Sequence, residues 1–395
     1  MRILSITDQV PRMPGPGTES RCFCLMRELA GKHSFTVLTT AQGRREEAGE
    51  LERMGIAVER VSGADRAAAP SRGFIFDDFS KLPAQVRETG IFRGQMRAKV
   101  AALLDRGFDA VQVEHSTNGI WLDGLARRIP AILVFHNACS LFEYRVFATR
   151  RNPAEKLRAF REWLRMRAYE RRVSSLYDRL IALSENEAKL LGALTGRRDI
   201  AIVPNGVDIR RFSPARGGQE PETMVYTGTM SWLPNDEGAR WFMRDILPRI
   251  WKEIPGARLT VVGPGPTAAL RLLAGDRRIA LVDDPGDARG HIARASVCIV
   301  PLRVGAGTRV KILEAMAMGI PVVSTSVGCE GLGLENGREI AVADRPRAFA
   351  GAVCALLLDR DLAGRMGAAA RRRAEEFDYA RIAKTMDAVY EGAAP

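Results

Sequence analysis

The chain has 395 residues, of which 46% are apolar and 27% charged, and a formal net charge of +12. That length exceeds one ordinary core, so two globular domains are expected, and the composition excludes disordered and fibrous classes. No run approaches the roughly 20 apolar residues that span a bilayer, and the apolar part of the opening MRILSITDQV is too short for a signal sequence, so the protein is expected in the cytoplasm.

In chain order, short β-branched runs alternate with helical patterns: RILSIT (2–7), FTVLTT (35–40), IAVERV (56–61), DAVQVE (109–114), AILVFH (131–136), DRLIALS (178–184) and IAIVPN (200–205). This is the signature of a parallel α/β sheet. The first 203 residues hold 33 Lys and Arg against 24 Asp and Glu, which places the basic surface in this half. Much of it comes from 145–172, with ten basic and three acidic residues. Leu157, Phe160, Leu164 and the pair Arg167 and Ala168 recur there at helical spacing, which predicts a basic amphipathic helix. A solvated face is the simpler reading, and contact with an anionic membrane is the alternative. Nucleic acid is disfavoured, because no stacking pattern or recognition motif accompanies the charge.

A Gly- and Pro-bearing stretch, FSPARGGQEPET (212–223), then interrupts the pattern, which restarts with TMVYTG (223–228), RLTVVG (258–263), IALVD (279–283), SVCIVPL (296–302) and IPVVST (320–325). The expectation is two doubly wound, Rossmann-like domains, 1–205 and 206–375. A helical tail, 376–395, would cover the second or return to the first. Open α/β sheets bind ligands at the carboxyl ends of their strands, and two such edges are expected to face each other across a cleft. Cysteines 22, 24, 139, 298, 329 and 354 lack metal-site spacing and are expected as buried thiols.

The segment VGAGTRVKILEAMAMGIPVVST (304–325) reads as a glycine turn opening a helix that ends at Gly319. Gly305 and Gly307 leave room for a phosphate to approach the helix-start amides, although a plain glycine turn has the same pattern. Arg309 and Lys311 would sit in the first turns, where the helix dipole disfavours cations and a bound anion would relieve the conflict. Glu314, three residues beyond Lys311, would either form a helical ion pair or hold ribose hydroxyls. Gly228 ends a strand where backbone can approach a diphosphate. His136 ends another strand, with His115 a weaker candidate for the same edge. Asp283, Asp284 and Asp287 adjoin Pro285 and Gly286 and read as a turn, not a metal site.

The segment from Gly305, with RLIALSENEAKLL (179–191), IAIVPNGVDIRRFSP (200–214) and VYTGTMSWLPNDEGARWF (225–242), resembles glycosyltransferase family 4 over nearly the whole chain, and is most similar to its exopolysaccharide-type sugar transferases. The resemblance implies a GT-B fold, with the donor nucleotide in the carboxyl-terminal domain, the acceptor mainly in the amino-terminal one, and retention of anomeric configuration. It makes Glu314 the ribose-binding second glutamate of a Glu, seven residues, Glu motif. Ala306 stands where the first glutamate belongs, so the backbone from Gly305 through Gly307 to Thr308, or other groups, would hold the donor sugar instead. An Arg and a Lys expected after the first strand of the second domain are also missing, and Arg309 and Lys311 are the candidate substitutes. The same resemblance makes His136 the catalytic-site contact with the donor sugar and assigns Gly17, in PRMPGPGTESR (11–21), to a loop bordering the active site.

The expected protein is therefore a retaining transferase of a sugar from a nucleotide diphosphate sugar to a glycan, lipid-linked or other hydroxyl acceptor. No metal or cofactor and no nucleic acid is expected, and peripheral contact with the inner face of a membrane is the optional addition. A non-catalytic GT-B scaffold subunit and a nucleotide-sugar epimerase are the alternatives. An NAD-dependent oxidoreductase is disfavoured, because neither half has G-x-G-x-x-G after its first strand.

Overall fold

In the computed structural model, which describes residues 1–40, 48–61, 76, 78–90, 93–214 and 218–393, the alternation resolves into two wholly parallel sheets. The first comprises β1 (Arg2–Thr7), β2 (Ser34–Thr39), β3 (Ala57–Arg60), β4 (Ala110–Glu114), β5 (Ala131–Phe135), β6 (Arg179–Ala182) and β7 (Ile200–Ile202), ordered β3-β2-β1-β4-β5-β6-β7. The second comprises β8 (Thr223–Thr227), β9 (Arg258–Val262), β10 (Ile279–Val282), β11 (Val297–Val300), β12 (Val322–Ser324) and β13 (Ala341–Val342), ordered β10-β9-β8-β11-β12-β13. Every residue of β4, β5, β8 and β11 is buried. Burial at every position is what strands covered on both faces show, and in β4 it includes the polar Gln112 and Glu114. Strand order reverses between β1 and β4 and again between β8 and β11, and ligands of open α/β sheets bind at these switch points. The sequence pattern did not announce β13, a two-residue edge strand too short to carry a periodic signal.

The chain forms two compact units, 1–204 with 382–395, and 205–381. The 212–223 loop, of which 215–217 lie outside the described residues, thus falls inside the second unit. That unit starts at Asn205 because the residues after it bind within it: the Val207 amide donates to the Phe377 carbonyl at 2.9 Å, and Gly206 packs so closely on Tyr379 that a Cβ would lie 2.8 Å from its ring. The chain returns to the first unit at Ile382, within the helix Tyr379–Ala393. Met386 and Tyr390 bury the apolar face of that helix, while Asp387 meets His33 at 2.8 Å and Lys32 at 2.6 Å. The exposed Lys32 pair contributes little, so apolar burial supplies most of the attachment, with the part-buried His33 hydrogen bond beside it.

The basic segment 145–172 is two helices, not one. The helix Cys139–Thr149 stops, and Asn152 then caps Pro153–Ser174, accepting from the Ala154 and Glu155 amides at 2.9 and 3.3 Å, with Pro153 in the first turn. The longer helix buries Ala159, Met166, Tyr169, Glu170 and Val173. Leu157 and Leu164, from the expected stripe, face outward, 51% and 44% exposed. No helix among the described residues is long and apolar enough to cross a membrane. All six cysteines are free thiols, five of them buried and Cys329 half-buried.

Candidate functional site

At the switch point of the second unit, β8 runs into Gly228, whose φ of 146° leaves its amide free to bond the Val262 carbonyl at 3.0 Å. A Cβ at Gly228 would lie 2.6 Å from Lys311 Nζ and 2.7 Å from Asn235 Nδ2, and one at Gly263 (φ 141°) would strike the Gly228 backbone. Only glycine permits two strand ends to come this close. After β11, a loop passes through Gly305 (φ 139°) and Gly307 (φ 82°) into the helix Val310–Ala317.

That helix starts later than expected, which corrects the placing of Arg309. The residue is the N-cap, in extended conformation, and not part of the first turn. Its guanidinium folds back to donate to the Ala306 carbonyl and, at 2.8 Å, to that of Gly307, leaving the residue 6% exposed. The twisted glycines turn these carbonyls inward, and buried carbonyls need donors, so Arg309 braces the loop instead of reaching out to a phosphate. Ala306 is buried in the same loop, and Thr308 Oγ1 accepts from Asn205 Nδ2 at 2.8 Å.

Lys311 does lie in the first turn. Its Nζ donates to Asn235 Oδ1 at 2.9 Å and sits 4.5 Å above the Tyr226 ring. Burial, with the Arg309 charge adding to it, pushes this ammonium down to about 7. One turn on, burial pushes the Glu314 carboxyl up to about 7 against the opposing pull of Lys311. No contact-distance ion pair joins Lys311 and Glu314 among the described residues, although the Lys311 charge acts on the Glu314 carboxyl. The helix has no side-chain cap. A helix start without a side-chain cap and an under-solvated ammonium have the chemistry that suits an anion, and a carboxylate one turn away has the chemistry that suits hydroxyl groups. Nearby, Asp283 pairs with Arg271 at 2.6 Å, and Asp287 with Arg289 and Arg211 at 2.7 and 2.9 Å, as turn residues.

At the switch point of the first unit, His136 follows β5 and its Nε2 lies 2.7 Å from Oε2 of Glu114, the last residue of β4. Burial works to raise the Glu114 carboxyl, but the hydrogen bond and charge of His136, with Arg21 and Gln112, hold it below the usual range. Arg21, only 1% exposed, donates to the Val203 carbonyl at 2.9 Å and to that of Pro204. The His115 ring stacks on His136, with centroids 6.0 Å apart and planes 9° apart, and its backbone is strained at φ 76°. Burial, followed by the His136 charge, lowers His115 to about 3, so it is neutral. The turn after His136 is fixed by two carboxylates. Glu170 accepts from the Cys139 and Ser140 amides at 2.7 and 3.2 Å, and Glu187 from Ala138 at 3.3 Å. Gly17 is the first residue of the helix Gly17–Leu29 and not the middle of a loop; the constrained glycine there is Gly15, where a Cβ would lie 2.8 Å from the Arg12 carbonyl.

Sequence reasoning missed Glu114, Gln112, Arg21, Asn235 and Tyr390. Gln112 and Glu114 had a usable signal, since two polar residues at alternate positions of a buried strand share one face and need partners there. Arg21, Asn235 and Tyr390 lie on helices far away in sequence and had none.

The geometry agrees with what the chain resembles. Residues 16–211 match the profile of Glycosyltransferase Family 4, and residues 221–359 that of Glycosyl transferases group 1. An uncharacterized 44.6 kDa protein in the cps region of Klebsiella pneumoniae is 24% identical over 230 residues, 55% of this chain and 57% of that protein. A GDP-mannose-dependent alpha-(1-6)-phosphatidylinositol monomannoside mannosyltransferase of Mycobacterium tuberculosis is 30% identical over 214 residues, 48% of this chain and 54% of that one. The chain thus spans little more than half the length of these curated relatives. The crystal structure of Anabaena Alr3699/HepE in complex with UDP-glucose superposes with a TM-score of 0.70 at 15% identity, covering 99% of this chain and 100% of that one, a likeness of fold. With both profiles matched in order and two Rossmann-like parallel sheets beneath them, the chain belongs to the family 4-like glycosyltransferases of GT-B fold.

Proposed function

We propose that this enzyme moves a sugar from a nucleoside diphosphate donor to a hydroxyl acceptor in glycan, polysaccharide or glycolipid assembly, with retention of anomeric configuration. The observation that carries this reading is the uncapped helix Val310–Ala317, with Lys311 in its first turn beside the Gly228–Gly263 backbone and Glu314 one turn on. In this reading the helix amides and Lys311 bind the diphosphate, Glu314 binds the ribose, and His136 contacts a hydroxyl of the sugar. The bond from the anomeric carbon to the phosphate oxygen breaks. The acceptor oxygen bonds to that carbon from the same face, and its proton passes to the departing phosphate. Charge on the leaving group is stabilised by amides and ammonium, with no dedicated base. No metal is invoked: Cys22, Glu114 and His136 do place ligand atoms within 4.8 Å of one another, but both Glu114 oxygens are hydrogen-bonded and the Arg21 charge acts on the same carboxylate.

A panel of nucleoside diphosphates screened for thermal stabilisation tests the donor site, because a ligand that binds only the folded state raises its melting temperature. Stabilisation by one base, lost in Lys311→Ala, supports the reading; no stabilisation by any removes it. An inverted product anomer would remove retention. Ala306 in place of a family glutamate favours a second reading, a scaffold that binds nucleotide without transfer. Donor hydrolysis or transfer by the purified protein separates the two.

Membrane contact is proposed for the outer face of the helix Pro153–Ser174. Exposed Leu157 and Leu164 lie among Arg158, Arg161 and Arg165, next to a cluster of Tyr144, Phe147, Phe160 and Trp163 with ring centroids 5.3–6.2 Å apart. Apolar side chains within a basic field suit an anionic bilayer surface. Co-sedimentation with anionic but not neutral vesicles, weakened in a Leu157→Ser/Leu164→Ser double variant, is the expected result.

A further inference from the structure

Behind His136, buried polar side chains form one directed series of hydrogen bonds. Tyr390 Oη lies 2.8 Å from Gln112 Oε1, Gln112 Nε2 contacts Glu114 Oε1, and Glu114 Oε2 lies 2.7 Å from His136 Nε2. Tyr390, Gln112 and Glu114 are 2%, 4% and 3% exposed, so water does not compete for these groups. The direction of each bond follows from the carboxylate. An ionised carboxylate only accepts. Gln112 must therefore turn its amide nitrogen to Glu114, which leaves its oxygen for Tyr390 and obliges the phenol to donate. The buried Cys22 thiol, kept protonated by burial and by the nearby Glu114 charge, adds another donor. By the same rule, His136 must offer a hydrogen from Nε2.

We infer that Tyr390, Gln112 and Glu114 are positioning residues that fix His136 as the Nε2–H tautomer and present Nδ1 as the atom that meets a sugar. Nδ1 has no hydrogen-bond partner among the described residues. In the neutral ring it accepts from a sugar hydroxyl; in the imidazolium it donates. Because Tyr390 lies on the helix Tyr379–Ala393, the orientation of His136 depends on a residue 254 positions later, placed there by the return of the chain to the first unit. This inference rests on the reading of His136 as a sugar contact.

Nitrogen-15 NMR of histidine-labelled protein reads the tautomer from its long-range proton couplings, and the chain has only four histidines to assign. The wild-type neutral ring is expected to be protonated at Nε2; protonation at Nδ1 overturns the inference. In Glu114→Gln, the Gln112 amide claims the oxygen of the new side chain, whose nitrogen then faces His136, so the ring is expected to switch to Nδ1–H. A ring that stays Nε2–H overturns the inference. In the same variant kcat should fall about 10- to 100-fold, with donor affinity within about twofold of wild type, as a misdirected hydrogen bond predicts. A switched ring with unchanged kcat overturns the positioning role. Tyr390→Phe frees the Gln112 amide to rotate and should lower kcat about threefold, a single neutral hydrogen bond being worth less. It also serves as the decisive variant if Glu114→Gln does not fold. If the wild-type protein transfers no sugar at all, the proposed function fails, while the tautomer reading is judged separately by the spectra.

Discussion

The two switch points have the same place in the same strand order and opposite chemistry. In the second unit, Gly228, Gly263, Gly305 and Gly307 strip side chains away, so backbone amides and one ammonium dominate. In the first, Gln112, Glu114, His115 and His136 fill the edge with side chains whose charge centres on a carboxylate. The first holds an imidazole against a buried carboxylate; the second, proposed above as the diphosphate site, has no imidazole in its described contacts. The topology supplies an edge at which strand ends are accessible, and local residues decide what binds there.

The sharpest way to break this contrast is Lys311→Ala. It removes the one first-turn cation, and nucleoside diphosphate affinity measured by calorimetry should fall about 100-fold, the value of a charge-assisted bond in a desolvated site. His136→Ala should do the reverse, lowering kcat about 10- to 100-fold while the calorimetric affinity stays within about threefold. Equal effects of the two variants on affinity would erase the distinction between the edges.

pH sharpens the comparison further. Lys311 is held at about 7 in the free protein and a bound anion raises it, so its contribution to affinity is full below pH 7 and is lost as pH rises through the higher, bound value. Affinity should decline by up to about tenfold per pH unit in that window, with protons taken up on binding in buffers of different ionisation enthalpy. Lys311→Ala should flatten this profile, and Glu114→Gln should leave it unchanged. The effect on folding has the opposite sign: a lysine that resists protonation when folded costs stability increasingly as pH falls from its unfolded value toward 7.

The smallest expected effect concerns Ala306. Restoring the family carboxylate with Ala306→Glu forces a longer side chain into a buried loop braced by Arg309, and it should destabilise the protein by about 1–3 kcal/mol, seen as a lower melting temperature, without improving turnover. A gain in turnover would mean that the loop has room for the glutamate and that its absence limits the enzyme.

Most strands, and the glycine loop leading into the helix Val310–Ala317, were legible in the sequence, because parallel strands are apolar runs and helix starts are marked by glycine and periodicity. Arg309 shows the limit. Its place beside a helix start was readable, but whether its guanidinium faced outward or back onto the Ala306 and Gly307 carbonyls depended on how Gly305 and Gly307 twist the loop. Leu157 and Leu164 were readable as an apolar stripe, yet their outward orientation followed from which face of the helix, that of Met166, Tyr169 and Val173, joins the core of the first unit.

What the sequence determined by itself was local: the alternation, the glycines and the charges near each strand end, all of them set by neighbours within a turn or two. What only the tertiary structure decided was partnership: Glu114 for His136, Asn235 for Lys311, Tyr390 for Gln112. A hydrogen bond is satisfied by proximity in space, and the fold brings Tyr390 to Gln112 across 278 residues of chain that no spacing rule spans.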